Sequence, residues 1–130
     1  MKYLFLSSED STTIYSSNKG SNFIVDLPEP LELHGEWYCA LSEIYITKNK
    51  GVKKQNYYIY CDIIDYSYIN NNYFPLLRIV SESSTFTNLY YFKVKQQTVK
   101  QITISIKKKT GDYSNIINSL CVLTLKQNVG

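Results

Sequence analysis

The chain has 130 residues and a net charge of +3, from 14 basic and 11 acidic side chains. A chain of this size buries roughly two-thirds of its unfolded surface, enough for a core without metal or disulfide staples, and no segment approaches the ~20 apolar residues that span a bilayer. Dedicated nucleic-acid binders are usually more basic; 13 tyrosines and an aromatic share of 15% instead suit pleated, half-buried strands.

The apolar run Leu4-Phe5-Leu6 ends at Ser7-Ser8, too short for a secretory signal, so residues 2–7 read as a first strand. The polar stretch from Ser8 to Asn22 reads as a long loop. Phe23, Val25 and Leu27 alternate with Ile24 and Asp26 in a second strand. Pro28 and Pro30 are expected to end its ladder, because proline donates no backbone hydrogen bond. His34-Gly35 marks a turn, and Glu36 to Ile46 is the longest strand candidate. Its apolar parity changes at Ser42-Glu43, from Trp37, Cys39 and Leu41 to Ile44 and Ile46, which predicts a bulge or bend there. Trp37 is expected to be a buried core anchor.

Tyr57 to Ile64 follows, with Tyr57, Ile59, Cys61 and Ile63 on one face. Asn70-Asn71-Asn72 signals a turn, and Leu76 to Val80 a short strand after Pro75. Leu89 to Lys95 and Gln101 to Lys107 are two further strands, the second with Ile102, Ile104 and Ile106 inward. Asp112 to Ser119 has room for one helical turn, and Leu120 to Lys126 closes the chain. Eight strands with turn signals between them predict an all-β domain spanning 1–130, an antiparallel β-sandwich.

Catalytic chemistry is hard to assemble. His34 is the single histidine and sits in a turn, and no GxSxG elbow, Gly-rich phosphate loop or zinc spacing is present. The carboxylates are scattered. Cys39, Cys61 and Cys121 are an odd set without CxxC spacing, each inside an apolar run, which predicts buried free thiols in a reducing compartment. No catalytic residue, cofactor or metal is expected.

The residues suited to contacts are of two kinds. Lysines cluster at Lys48, Lys50, Lys53 and Lys54 and again at Lys107, Lys108 and Lys109, either as solvated loops or as contacts for phosphates or an acidic surface. In the pairs Tyr57-Tyr58 and Tyr90-Tyr91, neighbours on a strand point to opposite faces. Tyr58 and Tyr91 are therefore candidates for an exposed aromatic patch. Aromatics interleaved with lysines also suit single-stranded nucleic acid. Arg78, set among Leu76, Leu77, Ile79 and Val80, is expected either to pair in cis with Asp62 or Asp65 or to anchor a neighbouring subunit.

Three stretches resemble a known family. They are Tyr3-Leu4-Phe5-Leu6-Ser7-Ser8-Glu9-Asp10-Ser11; Phe23-Ile24-Val25-Asp26-Leu27-Pro28 with Leu33-His34-Gly35-Glu36-Trp37 through Leu41-Ser42-Glu43-Ile44; and Tyr58-Ile59-Tyr60-Cys61-Asp62-Ile63 with Pro75-Leu76-Leu77-Arg78. They resemble proteins of Polinton/Maverick elements and related adenovirus-like (adintovirus-type) DNA viruses of animals. In relatives a longer segment often joins the second and third stretches; here Thr47 to Asn56 alone does so. The resemblance implies a virion component of single jelly-roll type: a minor capsid, penton-like or capsid-associated cement protein. It would form a cyclic homo-oligomer and pack against a major capsid protein. It would be made in the host cytoplasm or nucleus and not secreted, with no membrane partner. The alternatives are a nucleic-acid-binding β module and a receptor- or glycan-binding sandwich.

Overall fold

The computed structural model describes residues 1–12, 14–51, 53–69 and 72–127. Nearly all regular structure in it is antiparallel strand. The segments are β1 (Lys2–Ser7), β2 (Asn22–Glu32), β3 (Trp37–Lys48), β4 (Tyr57–Cys61), β5 (Ser67–Ile69), β6 (Asn72–Phe74), β7 (Leu76–Val80), β8 (Ser84–Thr85), β9 (Phe92–Lys93), β10 (Thr98–Lys107) and β11 (Ile116–Gln127). One short helix, α1 (Ser8–Ser11), follows β1.

The segments form a five-stranded sheet in the order β1-β11-β3-β8, with β9 also on β3, a four-stranded sheet in the order β2-β10-β4-β7, and the hairpin β5-β6. Both larger sheets feed one apolar cluster. From the first come Cys39, Leu41 and Ile44 on β3 and Cys121, Leu123 and Leu125 on β11. From the second come Tyr57, Ile59 and Cys61 on β4 and Ile102, Ile104 and Ile106 on β10. All of these are fully buried, and a fully buried Ile or Leu side chain contributes about 1.5–3 kcal/mol. The isoleucine alternation of β10 therefore points inward as its period of two demands.

The parity switch in β3 is a bulge at Ser42. Glu43 pairs with Val122 and Leu41 with the next residue, Leu123, so Ser42 is the extra residue. Its hydroxyl donates to the Val122 carbonyl at 3.0 Å. The bulge lets Leu41 and Ile44, three apart, share the inner face.

Several expectations need correction. Pro28 and Pro30 do not end β2. They lie in a stretch that the ladder to β10 skips, since Leu31 pairs with Val99 and Asp26 with Gln101, and β2 is an edge strand, where proline is tolerated. The Ser8–Asn22 stretch is not a plain loop. Ser7 caps α1 by accepting from the Asp10 amide, and Asn18 grips its surroundings through Nδ2 to Ser11 Oγ (2.9 Å) and to the Ile24 carbonyl (2.8 Å). Residues 112–115 hold no helix, and Ile116–Ser119 belong to β11. Where the sequence predicts eight strands, eleven segments stand among the described residues. The hairpin β5-β6 is one addition, and the expected 89–95 strand is reduced to β9, paired with Tyr38 and Cys39. Asn70 and Asn71 of the expected turn lie outside the described residues. Trp37 is half-buried at the rim of the core, not inside it. Its Nε1 donates to the His34 carbonyl at 2.9 Å, an oxygen that also accepts from Gln127 Nε2 at 2.8 Å. Indole and amide together clamp the turn at Gly35, whose φ of 83° suits glycine.

Candidate interaction surfaces

The three thiols are buried. Burial pushes all three thiols up. Cys61 rises to about 12, and Cys39 and Cys121 also lie well above the usual range, with burial the largest cause in each case. His34 is exposed, and its backbone carbonyl, not its ring, is engaged by Trp37 and Gln127.

Strand pairing gathers the two lysine runs at one end of the molecule. β3 ends at Lys48 opposite Ile116, where β11 begins, and β10 ends at Lys107 opposite Tyr58, where β4 begins. The 49–56 and 108–115 loops thus leave from and return to the same four strand ends. Lys48, Lys50, Lys53, Lys54 and Lys109 are exposed, and Lys107 and Lys108 half-exposed. Between the sheets at this end lies a cavity of about 290 Å³ lined by Ile46, Lys48, Tyr57, Glu82 and Ser83. Tyr57 lines it, and its hydroxyl, itself buried, has no hydrogen-bond partner among the described residues.

The outer face of the four-stranded sheet is aromatic next to these lysines. Tyr58 stands opposite Lys107, whose ammonium lies 5.7 Å from the Tyr60 ring and 5.0 Å from that of Tyr113. Phe74 meets Tyr60 edge-on at 5.6 Å. Burial, and secondarily Tyr58, raises the Tyr60 hydroxyl. At the opposite end the β5-β6 hairpin projects Tyr68 and Tyr73, with ring centroids 4.5 Å apart and hydroxyls 2.6 Å apart.

A second surface lies on the outer face of the five-stranded sheet. Val122 and Thr124 alternate with the inward Cys121, Leu123 and Leu125 and so point outward, yet are only 4% and 3% exposed. They are covered by Tyr3 and Phe5 of β1 and by the 86–91 segment, around a groove of about 500 Å³. Tyr91 lines this groove beneath Lys126, whose ammonium is 4.0 Å from its ring. Tyr3 and Phe5 remain 59% and 68% exposed.

Arg78 borders the second surface through Phe86 and does not form the expected ion pair with Asp62 or Asp65. Its guanidinium lies 3.8 Å from the Phe86 ring and 4.0 Å from the Tyr90 ring, and Nη1 donates to the Asn88 carbonyl at 2.7 Å. Asp62 is used otherwise, accepting from the Thr103 amide at 2.9 Å.

Tyr58, the two lysine runs and the cavity at Tyr57 thus come together, whereas Tyr91 and Arg78 serve other regions. Tyr3, Phe5, Tyr60 and Tyr113 escape the sequence reading. Their strand parity is legible, but which strand lies at an edge is not. Compared with known proteins, the chain matches no family model, no curated sequence and no solved structure.

Proposed function

We propose that the protein is a structural subunit of a virion, a single jelly-roll β-sandwich that works through protein–protein interfaces and carries no catalytic step. The observation that carries this reading is the nesting of the strand pairs. The first strand pairs with the last (β1·β11), the second with the next to last (β2·β10), the third with β8 and β9, and β4 with β7. A ribbon of such pairs, rolled so that β11 also meets β3 and β10 also meets β4, is the arrangement a jelly roll calls for and so supports the reading. On this reading β8 and β9 are one interrupted strand and β5-β6 a hairpin at the tip of the ribbon, leaving eight principal strands. Jelly rolls serve capsids and lectins alike, so the choice between them rests on surfaces. The groove beside β1 is apolar, with Tyr3 and Phe5 exposed at its rim, and aromatics are enriched in protein interfaces. The resemblance to the proteins of Polinton-type elements points the same way.

The partners would be further copies of the chain in a closed ring, the default symmetry of homo-oligomers, and a major capsid protein. Light scattering across concentration should give a multiple of the 15.1 kDa chain mass, and purified particles of the encoding virus should contain the protein. A strict monomer absent from particles overturns the reading.

A further inference from the structure

The lysine-rich end is built differently from the apolar groove beside β1. Seven lysines, 48, 50, 53, 54 and 107–109, converge there against the nearby carboxylates of Glu82 and Asp112, in a chain whose net charge is only +3. The remainder of the molecule therefore carries net negative charge, and the positive field has a direction. Glu9 and Asp10 on α1 flank this end on the β1 side, where α1 packs on β11 through Ser8. The basic surface thus continues toward β4 and β10, not toward β1. Along that path lie aromatic rings. Tyr113, 51% exposed, and Tyr60 bracket the Lys107 ammonium, and Tyr58 stands beside it.

A second, independent observation lies in the cavity between the sheets. Tyr57 is 0% exposed and its hydroxyl has no partner among the described residues. Buried hydroxyls are nearly always hydrogen-bonded, and an exception asks for an explanation such as an absent ligand. The cavity beside it, about 290 Å³, also presents Ser83, Glu82 and Lys48. The Ser83 hydroxyl is tied to the Ile46 backbone, so the carboxylate of Glu82 and the ammonium of Lys48 are what the cavity offers at its mouth, an acceptor beside a donor, which suits the edge of a nucleobase better than a bare phosphate.

We propose that this end of the molecule binds single-stranded nucleic acid, with backbone phosphates on Lys50, Lys53, Lys54 and Lys109, a base stacked on Tyr113, and a neighbouring base directed at the Tyr57 cavity. A duplex fits less well, because its bases are already stacked and cannot lie on tyrosine faces. An acidic protein surface would use the lysines but leave the aromatic rings and the buried hydroxyl without a role.

The test is fluorescence anisotropy with a labelled oligothymidylate, a duplex of the same length, and poly-glutamate as competitor. Oligothymidylate should bind more tightly than duplex. Its affinity should fall with rising salt at a log–log slope of about −0.7 per phosphate contact, roughly −3 for four lysines. Lys50→Glu with Lys53→Glu, Lys54→Glu and Lys109→Glu should weaken binding by more than about tenfold and flatten the slope, whereas Lys95→Glu at the opposite end should change little. Tyr113→Ala should weaken binding about fivefold or more with the slope unchanged, the signature of lost stacking. Tyr57→Phe should weaken binding while the melting temperature holds or rises. Absence of binding at about 50 mM salt, preference for the duplex, or competition by poly-glutamate together with no effect of Tyr113→Ala would each overturn the proposal.

Discussion

Tyr57 sits in the core with its ring fully buried and its hydroxyl unpaired among the described residues. Leaving a buried donor unsatisfied costs about 1–3 kcal/mol, so Tyr57→Phe should raise the stability of the unliganded protein by up to that amount. Chemical denaturation checks this; a loss of stability would mean the hydroxyl has a partner in solution. The cysteines give a second residue-level expectation. Burial raises the Cys61 thiol from 9.0 to about 12. Below pH about 9 the proton stays on in both the folded and the unfolded chain, and the thiol's contribution is fully present. Above that the unfolded chain releases its proton first, and stability falls as pH climbs toward the folded value. Melting temperature should therefore decline above pH about 9, and the decline should be shallower in Cys61→Ala than in the parent. Equal slopes would assign the alkaline loss to other groups. Trp37, half-buried and bonded to the His34 carbonyl, is a clamp on a turn. Truncation to Ala should cost about 1–3 kcal/mol, the value of one partly buried ring plus one hydrogen bond, below the 3–5 kcal/mol typical of aromatic truncation in a core.

Among elements, the connections respond most to small changes. Gly20 sits in a tight turn, with Lys19 and Asn22 exchanging backbone hydrogen bonds around it, and space holds glycine there. A methyl group there would stand 2.5 Å from the Ile116 carbonyl oxygen and 2.6 Å from backbone atoms of Ile117. The Gly20 carbonyl also accepts from Ser119 Oγ. Gly20→Ala must push the loop off β11, and overpacking of this kind costs about 1–3 kcal/mol, readable as a lower melting temperature. Arg78 performs the matching task at the other side of the five-stranded sheet, tying the 86–90 segment to β7 through two rings and one carbonyl. A lysine there keeps the charge but loses the planar stacking. Arg78→Lys should therefore destabilise nearly as much as Arg78→Ala.

The same contrast explains what could be read from the sequence. β1, β10 and the Ser42 bulge were legible because each rests on local alternation of side chains facing one core. The 86–91 segment was not, because its departure from the sheet edge depends on Arg78, a residue distant in sequence that meets it only in the fold. The prolines of β2 misled for a related reason. Proline stops a ladder only where the ladder needs its amide, and on an edge strand with a bypassed stretch it does not. The lysine runs were visible as runs, but their meeting at one end is a property of strand pairing alone.

At the scale of the whole molecule, the edges of the sheets differ in how they are protected. β2 carries Pro28 and Pro30 together with Asp26, Glu29 and Glu32, and the far edge of the five-stranded sheet is broken into the two-residue segments β8 and β9. Such features blunt unwanted pairing. β1 has none of them. It is six residues long, free of proline, and charged only at Lys2, with Tyr3 and Phe5 exposed beside an apolar groove. With β2 and the β8/β9 edge blunted and β1 left apolar, β1 is the edge through which the proposed association would run. The combined substitution Tyr3→Glu and Phe5→Glu should leave the fold intact at a cost of about 1 kcal/mol, because both side chains are more than half exposed yet help to cover Val122 and Thr124. It should abolish association through this face, since two carboxylates would have to be desolvated at the contact. Sedimentation of parent and variant at matched concentration, with a melting curve for each, separates the two effects. A melting temperature lowered by only a few degrees, with dissociation to monomer, is the expected result. Persistence of the oligomer would move the contact elsewhere, to the exposed Tyr68 and Tyr73 of the β5-β6 hairpin, and remove β1 from the assembly.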